Sequence, residues 1–199
     1  MVNTLENALE KVVSKVFTYD RSVGAIRAIQ KATQKLGLYE FDIYHIPDKP
    51  HVLAHNHGFK LYGSVADLYV LGPGAPRPVH GLFYHKLFKN PLYRPFLKSW
   101  NGIPTNRLKE IEKYLDNGDI IALAPSGPEH MPSKRGEVGA AWIARKLQIP
   151  LIPTKITQGK GYVRIDPGKE INVSADASRD DLREITDEVM HELGYNLGE

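Results

Sequence analysis

Cysteine is absent from this chain of 199 residues. Its absence excludes disulfides, thiolate metal ligands and a cysteine nucleophile. Long apolar runs are missing as well. The longest clean one, "IIALAP" at 120–125, is far shorter than the roughly 20 residues that span a bilayer. The opening "MVNTLENALEKVVSKVF" holds no continuous apolar stretch, so no signal peptide is expected. The expected location is the cytoplasm, either in solution or peripherally on the cytoplasmic face of a membrane. Neither sign of charge dominates, since 26 Lys and Arg face 23 Asp and Glu, a formal balance of +3.

What is present suits an ordinary globular chain, with 42% apolar and 25% charged residues. The charge is unevenly placed. From His51 to Lys113 nine Lys or Arg stand against three Asp or Glu, and from Asp166 onward three stand against ten. A basic middle suits an anionic partner such as a phosphorylated substrate, a lipid headgroup or nucleic acid; two solvated faces of opposite sign explain the same counts.

Periodicity divides the chain near residue 38. Leu5, Leu9, Val12, Val13, Val16 and Phe17 recur on one helical face, and Val23, Ile26, Ile29, Thr33 and Leu36 continue the spacing after "TYDRS". Residues 1–38 therefore read as an N-terminal amphipathic two-helix segment, and 39–199 as the main domain. There, "EFDIYHI", "HVLAHN", "VHGLF", "DIIALAP" and "IPLIPTKI" read as strands. "FKLYGSVADLYVL" reads as a helix running into a strand, and "YHKLFKNPLYRPFLKSW" as a helix broken near its prolines. "TNRLKEIEKYLDNG" reads as a helix with a Thr cap, and "GEVGAAWIARKLQ" and "SRDDLREITDEVMHELGYN" as further helices. "YVRID" and "EINV" resemble a terminal hairpin. Strands alternating with helices predict an α/β fold with a largely parallel central sheet flanked by helices.

Chemistry in such a sheet gathers at the carboxyl ends of strands. "HVLAHN" runs out at His55-Asn56-His57-Gly58, and "DIIALAP" at Pro125-Ser126-Gly127-Pro128-Glu129. Two polar, loop-prone strand ends point to one composite site.

Four segments in order resemble the glycerolipid and lysophospholipid acyltransferases, the 1-acylglycerol-3-phosphate acyltransferase-like superfamily. "HNHG" at 55–58 is similar to the His-Pro-His-Gly of the type 2 diacylglycerol acyltransferase branch, with Asn56 in place of proline. "WNGIPTNR" at 100–107 is similar to a Gly-x-Ile-Pro-x-x-Arg block. "ALAPSGPEHMPSKRG" at 122–136 stands where relatives carry Phe-Pro-Glu-Gly-Thr-Arg or Pro-Gly-Gly-x-x-Glu. "IPLIP" at 149–153 is similar to the proline-bearing last strand.

The resemblance implies an O-acyltransferase that moves a fatty acyl group from an acyl-CoA or acyl-carrier-protein thioester to a lipid hydroxyl. It implies His57 as general base, a role that suits neutral imidazole. It implies Gly58, Arg107, Ser126, Gly127, Lys134 and Arg135 as substrate-binding residues. No metal or other cofactor is called for, and a membrane surface is the expected partner. The pattern also departs from the family. The acid usually found five residues after the base is replaced by Tyr62, which leaves Glu129, the more distant Asp67 or a backbone carbonyl to orient the ring. Glu129 is the expected partner. The block at 122–136 lacks the usual arginine, a departure that leans toward a neutral acceptor, and the missing acid leaves an inactive lipid-binding homologue as an alternative.

Other classes compete for the same residues. His51, His55, His57, His80 and His85 offer nitrogen ligands to a metal-dependent hydrolase, but the Asp-His that follows His-x-His in binuclear hydrolases is absent. Phe83, Tyr84, Phe88, Tyr93, Phe96 and Trp100 alternate with basic residues. That suits a core with a solvated rim, a membrane interface or, without any recognition motif to support it, nucleic acid; no nucleic-acid partner is expected. The pattern does not specify an oligomeric state.

Overall fold

A strand made almost entirely of apolar residues belongs where both faces of a sheet are covered. The segment β2 (His51–His55) is buried at every position, and β5 (Ile120–Leu123) nearly so. The computed structural model, which describes residues 19–37, 40–57, 71–91, 93–99, 101–127 and 135–195, pairs these two strands in parallel near the middle of a seven-stranded sheet. The others are β1 (Glu40–Ile43), β3 (Val79–Phe83), β4 (Ile103–Pro104), β6 (Leu151–Gly159) and β7 (Tyr162–Pro167). Their order across the sheet is β1-β7-β6-β2-β5-β3-β4, and every neighbouring pair is parallel except β6–β7. The expected α/β fold is present.

Alternation along β2 divides the core in two. Val52 and Ala54 face α4 (Gly139–Leu147) and α5 (Arg179–Glu192), where Ala140, Ala141, Ala144, Leu182 and Val189 complete one apolar layer. Leu53 faces the other side with Leu71, Val79, Ile120, Ile156 and Ile165. Small residues on α4 let it lie close to the strands. A capping box starts α5: Ser178 Oγ accepts from the Asp181 N–H, and the Asp181 carboxylate accepts from the Ser178 N–H.

Further helices among the described residues include α1 (Tyr19–Lys35), α2 (Arg94–Ser99) and α3 (Leu108–Asp116), with a 3₁₀ turn at His85–Lys89. Only part of the α1 stripe is covered. Val23 is buried and Arg27 Nε donates to the Pro73 carbonyl at 3.0 Å, while Ile29 and Leu36 remain exposed at 60% and 71%. The helix expected before it lies outside the described residues.

Three local expectations are corrected. Leu71, the last residue of "FKLYGSVADLYVL", is helical with 72–74, and the rest of that segment lies outside the described residues. The hairpin partner of β7 is β6, and Ile171 in "EINV" makes one bridge to Leu151, below the point where β7 leaves that edge of β6. Thr105 does not cap α3. Its N–H is taken by the Phe83 carbonyl, and the cap position falls to Arg107, which makes no side-chain cap bond.

Candidate active site at the carboxyl ends of β2 and β5

The chain must leave the sheet after His55 without orphaning the backbone of β6. Asn56 resolves this. Its Oδ1 accepts from the Ile156 N–H at 2.6 Å and its Nδ2 donates to the Ile156 carbonyl at 2.8 Å. The side-chain amide thus extends the ladder one step past the last β2–β6 pair, His55 with Thr154. A proline here could do neither. His55 is buried, and its Nδ1 is bonded to the Asn56 carbonyl at 3.0 Å.

His57 follows two residues past the end of β2. Its ring meets that of His55 edge to face, with centroids 6.2 Å apart. Its Nε2 lies 3.1 Å from the carbonyl oxygen of Gly127, in the loop after β5. A carbonyl can only accept, so Nε2 carries the proton in this bond and the lone pair of the neutral ring lies on Nδ1. Gly127 presents that carbonyl from a left-handed backbone, φ +77°, which favours glycine. The turn is closed by the Gly127 N–H donating to Ala124 and the Glu137 N–H donating to Pro125.

A residue that gives no signal in the sequence joins the two loops. The Tyr195 hydroxyl accepts from the His57 backbone N–H at 3.4 Å and donates to Ser126 Oγ at 3.2 Å. Tyr195 stands just past α5, its own N–H bonded to the Met190 carbonyl. Ser126 is 1% exposed, so its hydroxyl anchors the loop from inside. Tyr195 lies 138 residues from His57 and carries no motif; only the fold brings it here.

The other expected site residues divide. Gly58, Glu129 and Lys134, along with Tyr62 and Asp67, lie outside the described residues. Arg135 turns toward α5, where its Nη2 meets Asp187 Oδ2 at 2.8 Å. Arg107 pairs with Glu110 at 2.5 Å and lines a cavity of about 640 Å³ along β4, between α3 and the 85–98 segment. The cavity also takes in Lys89, Arg94, Lys98, Lys113 and Tyr114, so cations outnumber its one carboxylate.

The remaining histidines have separate local partners. His51 is buried, with Nδ1 donating to the Lys49 carbonyl at 2.8 Å; burial holds its pKa below the ordinary value. His80 donates from Nε2 to Asp119 at 2.9 Å and stacks on Tyr114, with centroids 3.8 Å apart. Burial lowers its pKa too, against the opposing pull of Asp119. Among the described residues no group of three His, Asp or Glu side chains is placed to hold a metal ion.

A family model described as acyltransferase matches residues 25–157. The 1-acyl-sn-glycerol-3-phosphate acyltransferase of Bacillus subtilis (strain 168) is 32% identical over 116 residues, 53% of this chain and 54% of that protein. The chain thus spans about half the length of the curated relative it matches. The crystal structure of the 1-acyl-sn-glycerophosphate acyltransferase PlsC from Thermotoga maritima superposes with a TM-score of 0.58 at 17% identity, covering 96% of this chain and 94% of that one. That likeness is one of fold. With two thirds of its length matched by the family model, and the four motifs in order along the chain, the chain belongs to the acyltransferase family of the glycerolipid acyltransferase superfamily.

Proposed function

We propose that the protein is a peripheral membrane O-acyltransferase that moves a fatty acyl group from a thioester donor, acyl-CoA or acyl-carrier protein, to a lipid hydroxyl. The observation that carries this reading is the fixed imidazole of His57 at the carboxyl ends of β2 and β5, tethered by the Gly127 carbonyl. The imidazole of His57 takes the proton of the acceptor hydroxyl as its oxygen attacks the thioester carbonyl. Collapse of the tetrahedral intermediate breaks the C–S bond, and the departing thiolate recovers the proton from the imidazolium. Proton and acyl group are both accounted for, with no covalent enzyme intermediate.

The acceptor is a glycerolipid in this reading. The name of the Bacillus subtilis relative supports a phosphorylated one, and Arg107 stands where the family motif carries its arginine. Membrane attachment is supported by exposed Tyr84, Leu87, Tyr93 and Phe96 beside Lys86, Lys89, Arg94 and Lys98. Among the described residues no helix is long and apolar enough to cross a membrane.

The test presents purified protein with acyl-CoA and acyl-carrier protein against lysophosphatidate, lysophosphatidylcholine, diacylglycerol and a long-chain alcohol, with lipid products read by mass spectrometry. Transfer to at least one lipid, lost in His57→Ala, is expected. Thioester hydrolysis without transfer, or transfer that survives His57→Ala, would overturn the reading.

A further inference from the structure

Two stems of the loop after β5 stand among the described residues, and α5 with the residues just past it grips both. The first stem runs through Ser126 and Gly127, where the Tyr195 hydroxyl donates to Ser126 Oγ at 3.2 Å. The second returns through Arg135, Gly136 and Glu137. Arg135 and Gly136 lie outside every strand, so their carbonyls need partners from elsewhere. Arg183, on the second turn of α5, supplies them. Its Nη1 donates to the Arg135 carbonyl at 3.1 Å and to the Gly136 carbonyl at 2.8 Å. The contact is close. Gly136 takes φ +73°, and a Cβ added to it would come within 2.8 Å of Met190 Cγ and 3.2 Å of Thr186 Cγ2. Arg183, Thr186 and Met190 fall at i, i+3 and i+7, one stripe of α5 laid against this stem. Asp187 adds its bond to Arg135 Nη2 at 2.8 Å.

The two stems are joined. The Glu137 N–H donates to the Pro125 carbonyl at 2.6 Å, two residues before the Gly127 carbonyl that holds His57 Nε2. We infer that Arg183 is a positioning residue for the base. It fixes the second stem, the Glu137–Pro125 bond passes that constraint to the first, and the Gly127 carbonyl thereby stays aimed at His57. Bonds from a guanidinium to backbone carbonyls are charge-assisted and suit an anchor. In the sequence Arg183 is one basic residue of the acidic run "SRDDLREITDEVMHE" and reads as solvated. The inference rests on the acyltransferase reading, because only there does His57 act as a base.

The experiment sets Arg183→Ala, Arg183→Gln and Arg183→Lys beside Gly127→Ala. In the lipid acyl-transfer assay Arg183→Ala lowers kcat about tenfold, the scale of one charge-assisted hydrogen bond, and holds both KM values within about twofold. One nitrogen makes both bonds, so lysine restores most of the rate, and glutamine, an uncharged donor, falls between. Both changes act on one carbonyl, so Arg183→Ala with Gly127→Ala loses little more than Gly127→Ala alone. The other half needs no turnover. It reads the His57 imidazole N–H by NMR, its signal assigned by its loss in His57→Gln. Exchange of that proton with water quickens roughly tenfold in Arg183→Ala and stays near the wild-type rate in Arg183→Lys. Thermal melts confirm that each variant is folded at the assay temperature, and the lysine and glutamine variants carry the test if the alanine variant is not. Losses that multiply in the double variant, a change confined to KM, or proton exchange that does not respond would overturn the inference. A chain whose imidazole proton responds as expected but which transfers no acyl group would sink the acyltransferase reading and leave the link from Arg183 to His57 standing.

Discussion

His57 Nε2 and the carbonyl oxygen of Gly127 lie 3.1 Å apart, across two loops that follow neighbouring parallel strands. A histidine base works only if its second nitrogen is held, because a loose ring samples the wrong tautomer and direction. Here a backbone dipole takes that part among the described residues. His57→Ala is expected to lower transfer by ~10²–10⁴-fold, the usual contribution of a positioned base, with little change in melting temperature. His55→Ala should cost more stability and less activity, since that ring is packed within the fold. Steady-state rates and thermal melts on both variants check this; equal rate losses would reject the assignment.

Gly127 is the second test of the same bond. An added Cβ there has space, its nearest neighbour being the Glu137 side chain at 4.0 Å. The penalty comes from the left-handed backbone, about 1–2 kcal/mol for a residue with a Cβ. Gly127→Ala should relax φ and swing the carbonyl away from the imidazole. A loss of kcat larger than the loss of stability implies, measured side by side, is the expected outcome.

Tyr195 separates positioning from chemistry. Tyr195→Phe removes one hydroxyl and with it the bridge from the His57 N–H to Ser126 Oγ. A net hydrogen bond is worth about 0.5–1.5 kcal/mol, so a several-fold loss of kcat is expected. The pH profile should keep its shape, since the base itself is untouched. Ser126→Ala should produce part of the same effect, and the double variant should fall short of the two single losses added together. Full additivity would show that the bridge does not act as a unit.

Stability should weaken in mild acid because of His51. Burial depresses its folded pKa, so between the unfolded value of about 6.5 and the lower folded value the unfolded chain binds more protons. The neutral ring's contribution is thus complete above ~6.5 and is lost as pH falls through the folded pKa. His80 acts in the same direction. His51→Asn keeps a donor for the Lys49 carbonyl and cannot titrate. Melts at pH 8 and pH 5.5 should show wild type losing more than the variant on acidification.

The fold was legible where one physical cause dominated. The apolar residues at 52–54 and 120–123 read as buried strands, and alternation with helices predicted a mostly parallel sheet. Local signals failed where tertiary partners decided the outcome. Thr105 reads as a cap, but its N–H joins Phe83 beside β4 and the helix starts only at Leu108, while Ile171 reads as a strand and makes a single bridge to β6. The site was half legible. His57, Ser126 and Gly127 stand at strand ends that sequence can locate. Tyr195 arrives through α5, and no spacing rule connects it to them. Arg135, a basic residue in the same motif, meets Asp187 of α5, a contact that no local spacing announces.

The aromatic and basic segment between Tyr84 and Lys98 gives the last prediction. Its 3₁₀ turn buries no residue, and Leu87, Tyr93 and Phe96 stay exposed at 37%, 56% and 44%. Ordinary folding has no reason to leave such side chains together in water beside four cations. At a bilayer the rings and Leu87 enter the interface, while Lys86, Lys89, Arg94 and Lys98 meet anionic headgroups. The apolar part resists salt and the ionic part is screened, with a Debye length of about 8 Å at physiological strength and 3 Å at 1 M. Co-sedimentation with vesicles containing an anionic lipid should therefore weaken at 1 M salt without vanishing. Leu87→Ser with Phe96→Ser should abolish the salt-resistant remainder and leave transfer to a soluble short-chain acceptor intact. Vesicle binding unchanged in that double variant would place the attachment elsewhere on the chain.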